Sequence, residues 1–345
     1  MGSSASKAFN PEQDIPDLTG KVIIVTGGNT GIGYATIKHL TRKGAKVYMA
    51  ARNKARAGAA ISALHKEGLG PGNGEVVWLE LDLSDPRNAK KAAKEFMAKE
   101  DRLDVLIHNA AIMFGPYEIL PDGVQEIMVV NVISPFVLTR ELLPALKKTA
   151  SQSDSDVRVV TVSSEGHRTM GAVPRFRTIE DLNDECNHSL LPIFMRYCLS
   201  KTANILYASE LHRRLSSDPS SSNIIALSLH PGQVNSFYNR PWVVRLHLSG
   251  VVYVLGLPTT VMPDVGAYTS VFAAAAPVVK REWEKYGGRY VMPVGKVVKP
   301  TVGLWKGVMV GRKEVTVGEE WEKEWVEAGK ELWEVIERFL EERGI

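Results

Sequence analysis

KVIIVT, Lys21 to Thr26, runs straight into TGGNTGIG, Thr26 to Gly33, and this junction decides the fold. A short run of Val and Ile reads as a strand buried on both faces. The spaced apolar residues that follow read as a helix to about Lys43. Glycines let the backbone turn tightly and come close to a ligand, and a helix N-terminus favours negative charge. The turn therefore suits a pyrophosphate. A plain strand-to-helix turn is the simpler alternative.

Working outward, the same strand signal returns in KVYMAA (Lys46 to Ala51), VVWLEL (Val76 to Leu81), LDVLIHN (Leu103 to Asn109), RVVTVSS (Arg158 to Ser164) and IIALSLH (Ile224 to His230). Helix-length segments separate these runs. Strand alternating with helix implies parallel pairing through right-handed crossovers. The expected fold is therefore α/β, a doubly wound parallel sheet of the Rossmann type in three layers. Turn-rich connections at Gly68 to Gly74, Ser151 to Asp156 and Ser216 to Asn223 are too short for domain linkers. After about Pro300 the character changes. Trp321, Trp325, Leu332, Trp333, Ile336 and Leu340 fall at helical spacing, so a C-terminal amphipathic helix is expected, packed on the body or on a second subunit. The expected division is a flexible arm at 1–17, a catalytic domain at 18–294 and a C-terminal extension at 295–345.

Composition narrows the class. The 345 residues are 44% hydrophobic and 23% charged, which fits an ordinary globular protein. With 42 basic against 39 acidic residues and no basic cluster, the chain points away from nucleic acid. Cys186 and Cys198 show neither CxxC spacing nor a nearby His pair, so no metal or disulfide framework is expected and a reducing, cytoplasmic setting fits. His108, His167 and His230 lack metal-ligand spacing and read as strand-end packing. In such a compartment the formal sequon Asn187-His188-Ser189 carries no meaning. The N-terminus holds no secretory signal, and the apolar stretch Trp242 to Met262 is broken by Arg245, His247, Gly250, Gly256 and Pro258.

Three residues separate Gly27 from Gly31, unlike the common GxGxxG spacing. With HNAAI, VVNVISPF, VTVSSEGHR, YCLSK and HPGQVNSF in that order, the chain resembles the short-chain dehydrogenase/reductase family from about Leu18 to Val294. The resemblance implies a nicotinamide dinucleotide at Gly27, Asn29, Thr30, Gly31, Ile32 and Gly33. It places the adenine at Asp82 and Leu83, with Asp85 before Pro86 the better helix cap. Asn109, Ala110 and Ala111 match the family's NAG segment, with alanine for glycine. Pro231, Gly232, Val234 and Ser236 match its PGxVxT loop, with serine for threonine. No acid closes the second strand. Arg52 follows it, with Lys54 and Arg56 nearby, which favours NADP(H) over NAD(H), although a solvated charge run has the same composition.

YCLSK, Tyr197 to Lys201, lies on an expected helix from about Phe194 to Leu215, and residues four apart share one face. The implied catalytic set is Asn131, Ser164, Tyr197 and Lys201. Ser164 would bind the substrate oxygen and Tyr197 exchange its proton. Lys201 would lower the tyrosine pKa and hold the nicotinamide ribose, while Asn131 would position a water. Ser163 should face the other side of the strand. The expected activity interconverts a carbonyl and an alcohol. The alternative is a catalytically silent cofactor sensor or scaffold.

Thirty-two residues separate Ser164 from Tyr197. This long connection looks similar to the retinol-dehydrogenase-like branch, including fungal reductases. Phe237 to Pro263 occupies the place of an apolar substrate lid, which implies a lipophilic small-molecule substrate, with an oligomer or membrane contact as the competing use. MGSSASK puts Gly2, Ser6 and Lys7 in the pattern for N-myristoylation, a weak membrane attachment, with a cloning remnant or a plain tail as alternatives. Homodimerisation is also left open.

Overall fold

A computed structural model describes residues 9–234, 261–303 and 319–345. Gly2, Ser6, Lys7, Ser236 and most of the expected lid, from Phe237 onward to 260, lie outside the described residues. The six expected strands are all present, each within two residues of its anticipated ends. They are β1 (Val22–Thr26), β2 (Lys46–Ala51), β3 (Glu75–Glu80), β4 (Val105–His108), β5 (Val157–Val162) and β6 (Ile224–Leu229). Two strands of three residues follow, β7 (Tyr290–Met292) and β8 (Lys296–Val298). The sheet order is β3-β2-β1-β4-β5-β6-β7-β8. Every pair is parallel except β7 with β8. The doubly wound parallel sheet is thus present, with one antiparallel edge. The expected boundary at 294/295 falls within the turn between β7 and β8, so the sheet continues past it.

Side-chain alternation builds the layers. In β1, Ile23 and Val25 enter one core while Val22 and Ile24 enter the other. In β6, Ile225, Leu227 and Leu229 face the first side, and Ile224 and Ala226 the second. Helices α1 (Gly31–Arg42), α2 (Lys54–Glu67) and α6 (Pro263–Ala275) cover the first face. The second is covered by α3 (Pro86–Met97), α4 (Ser134–Ala150), α5 (Pro192–Ser217) and α7 (Glu319–Glu342). A short turn, Glu126–Met128, and a π turn, Val129–Ile133, lead directly into α4. By length and composition the run Glu126–Ala150 could cross a membrane, but its most apolar 18-residue window is 72% buried within the fold, as befits a core helix.

The C-terminal helix packs on the body. Leu332, Ile336 and Leu340 are buried in the second core. Trp333 meets Phe136 edge-on at 4.6 Å and lies nearly parallel to Tyr207 at 6.1 Å, while the Arg214 guanidinium sits 4.5 Å from its ring centre. Glu331 pairs with Arg175 and Arg177, on the segment between Ser164 and Tyr197. These contacts join α7 to α4, α5 and the segment before α5 in the same chain.

Candidate active site

The strand order reverses between β1 and β4, and a cavity of about 600 Å³ opens at the carboxyl ends of the strands there. Two glycines make its floor possible. Gly27 has φ +65°, and a Cβ on it would lie 2.9 Å from the Ala110 Cα. A Cβ on Gly33 would come within 2.5 Å of both the Gly27 carbonyl and the Asn109 amide nitrogen. The turn is stitched to the end of β4. Asn109 and Ala110 N–H groups both donate to Thr26 Oγ1 at 3.0 Å, and Asn109 Nδ2 donates to the Thr26 carbonyl at 2.9 Å. Asn109 therefore shapes the glycine turn with its side chain while lining the cavity.

Of the anticipated cofactor-binding residues, Gly27, Asn29, Thr30, Gly31, Ile32, Arg52, Asp82, Leu83, Asn109, Ala110, Ala111, Tyr197, Lys201 and Pro231 line this cavity together. Gly33 packs beneath the turn, and Gly232 (φ +89°) and Val234 lie outside the lining, with Val234 packed against Gly266. Asp82 also accepts the Ser84 N–H at 3.0 Å, and Asp85 is the cap of α3. Arg52 and Arg56 both line the cavity and are exposed. Neither side chain has an ion partner among the described residues. Lys54 instead lies over the Trp78 ring at 5.4 Å.

The residues of the expected catalytic set come from three elements. Tyr197 and Lys201 project one turn apart from α5, only 7% and 2% exposed. Lys201 Nζ donates to the Val162 carbonyl at 2.7 Å and lies 5.7 Å from the centre of the Tyr197 ring. Ser164 follows β5, and its Oγ accepts the Gly166 N–H at 3.1 Å. Ser163 Oγ donates to the Lys201 carbonyl at 2.6 Å, yet Ser163, expected to face away, lines the cavity, whereas Ser164 is not among the lining residues.

The surroundings of Tyr197, Lys201 and Asn131 bear on their anticipated roles. Lys201 was expected to pull the Tyr197 phenol down. In the packed protein burial dominates and pushes it up to about 12, with Ser164 only partly opposing. Burial also pushes Lys201 down to about 7, because an ammonium loses more solvation there than it regains. Asn131 was expected to position a water linking Lys201 to bulk. It sits in the π turn, where both amide protons are spent, on the Ile112 carbonyl at 3.0 Å and Ser200 Oγ at 2.9 Å, while Oδ1 accepts the Ile112 N–H. It positions the segment after β4 against α5.

Several bordering residues carry no sequence signal of their own. Met113 reaches the cavity on the segment after β4, Glu126 and Val130 on the short turn and the π turn, and Val162 at the end of β5. His108, His167 and His230 are buried, and burial pushes them down to about 3, 4 and 4.

A profile of short chain dehydrogenases matches residues 21–174. The chain is 41% identical over 297 residues to a short-chain dehydrogenase/reductase of Armillaria gallica, covering 86% of this chain and 91% of that one. Among solved structures, an uncharacterized protein of Mycobacterium paratuberculosis is similar with a TM-score of 0.63 and 27% identity, over 97% of this chain and 98% of that one. A Pseudomonas aeruginosa protein, solved as an NADP active-site complex, shares the fold with a TM-score of 0.57 and 22% identity, over 81% and 96% of the two chains.

Proposed function

The chain belongs to the short-chain dehydrogenase/reductase family of NAD(P)-binding oxidoreductases, and from that premise we propose that it interconverts a lipophilic ketone or aldehyde and its alcohol using NADP(H). One observation carries the reading. A single cavity gathers the glycine turn, the guanidinium groups of Arg52 and Arg56, and the Tyr197 and Lys201 pair.

The residues present fit a dinucleotide. The glycine turn and the N-terminus of α1 would hold its pyrophosphate, Asp82 and Leu83 its adenine end, and Arg52 with Arg56 a 2′-phosphate. When bound, the nicotinamide supplies or takes up the hydride. Proton and oxygen are the business of the protein. A phenol pushed up to about 12 keeps its proton at neutral pH, and an alkoxide is a stronger base than a phenolate, so Tyr197 donates downhill to the developing alcohol. Ser164 Oγ accepts from the Gly166 amide, which leaves its own proton to donate to the substrate oxygen. Lys201, at about 7, changes charge near neutrality and is suited to stabilise the phenolate and support its reprotonation.

The lipophilic class rests on the head of α5. Leu190, Leu191 and Ile193 are exposed there, Leu190 by 93%, and Phe194 lies 6.3 Å from the Tyr197 ring. The test is a panel of lipophilic carbonyls assayed by NADPH consumption. Tyr197→Phe should bind NADPH like the parent while reduction falls roughly 1,000-fold. Equal turnover by the two proteins would reject the mechanism.

A further inference from the structure

Two buried histidines, 63 residues apart in sequence, grip one peptide unit. His167 Nδ1 lies 2.7 Å from the Ser164 carbonyl oxygen. That oxygen can only accept, so Nδ1 carries the proton. The Glu165 N–H, at the other end of the same peptide unit, donates to His230 Nδ1 at 3.3 Å, so this nitrogen is bare. The rings are thereby fixed in opposite tautomers. His167 is 0% and His230 5% exposed. Glu165 and Arg168, an ion pair at 3.2 Å, face them from their own turn, and Tyr290 of β7 meets His167 edge-on at 4.9 Å. The outer nitrogens, Nε2 of each ring, make no hydrogen bond among the described residues, although His230 Nε2 lies 3.7 Å from a Glu165 carboxylate oxygen. The next amide along, Gly166 N–H, is the one that fixes Ser164 Oγ.

We propose that His167 and His230 are positioning residues that clamp the Ser164–Glu165 peptide and so set the direction of the Ser164 hydroxyl. This rests on the reading of Ser164 as the group that binds the substrate oxygen. The clamp uses the δ nitrogens alone, and that makes it testable by geometry. Asparagine places a polar atom near the imidazole δ position, whereas glutamine places one near ε.

The experiment uses the full-length protein and its His167→Asn, His167→Gln, His230→Asn and His230→Gln variants. The Gln variants should lower kcat roughly 10-fold or more with the NADPH Kd unchanged, and the Asn variants should restore most of it. Exchange of the Glu165 amide should be faster by about 10-fold or more in His230→Gln and near the parent's in His230→Asn. Equal behaviour of the Asn and Gln variants, or an unchanged kcat in all four, overturns the proposal. Nitrogen NMR of the unaltered protein gives a reading that no misfolded variant can blur. It should show His167 protonated on Nδ1 and His230 on Nε2, and a shared tautomer overturns the clamp. If the unaltered protein reduces no carbonyl, the enzymatic reading fails separately, while the tautomers and amide exchange still decide whether the clamp exists.

Discussion

Lys201 carries its ammonium into the core, and the solvation lost by burial pushes it down from 10.5 to about 7. A base whose folded pKa is depressed stabilises the fold fully above its unfolded value and loses that contribution as pH falls toward the folded value. At pH 7 Lys201 therefore lowers the stability of the fold, a cost the proposed chemistry would explain. Lys201→Met should leave the melting temperature unchanged or raised at pH 7, the loss of the bond to Val162 offsetting part of the gain, while carbonyl reduction falls roughly 100-fold. A melting temperature lower by many degrees would contradict this. At the other end of the cavity, Arg52→Asp should weaken NADPH about 10-fold or more in a fluorescence titration and leave NADH little changed. Equal weakening of both would remove the 2′-phosphate argument. Tyr197 and Lys201 were legible because four-residue spacing fixes a shared helix face whatever surrounds it. The direction of the Tyr197 pKa was not, since burial is set by α5 meeting β5 in three dimensions. The pairing of His167 with His230 was hidden for the same reason.

At the scale of elements, short continuous apolar runs located six strands and a period of 3.6 the long helices, because each has enough residues to show its pattern. Strands β7 and β8 have three residues each and leave no such trace. The π turn at Val129–Ile133 adds a residue to the helix without altering its apolar character, so the contacts of Asn131 with Ile112 and Ser200 had to be seen. For α7 the apolar seam was readable, while its partner was not. It settles on α4 and α5, where Trp333 fills the space between Phe136 and Tyr207. Trp333→Ala should destabilise the protein by about 2–4 kcal/mol in urea unfolding, a half-buried version of the usual tryptophan deletion. A change below about 0.5 kcal/mol would mean that α7 is only loosely attached.

For the whole molecule, three of the buried histidines, His108, His167 and His230, set an acid limit. Each has a folded pKa below its ordinary 6.5, about 3 for His108 and about 4 for His167 and His230. Their contribution is complete above pH 6.5 and drains away as pH falls toward 4, by at most ~3 kcal/mol for each histidine at 4. Glu331, held down to about 2 by Arg175 and Arg177, joins only in stronger acid. Urea unfolding should therefore show little change from pH 7.5 to about 6.5 and a progressive loss of stability from there to 4.5, and a flat profile throughout would show that the rings are solvated. The same sheet that carries the site must also stop somewhere. Its first edge strand, β3, exposes Glu75 and Glu80, and its last, β8, is only three residues long and exposes Lys296. Like charges repel when two copies bring the same edge together, and so short a strand offers few free backbone groups to a newcomer. The eight-stranded sheet is thus guarded at both margins against growing into an aggregate.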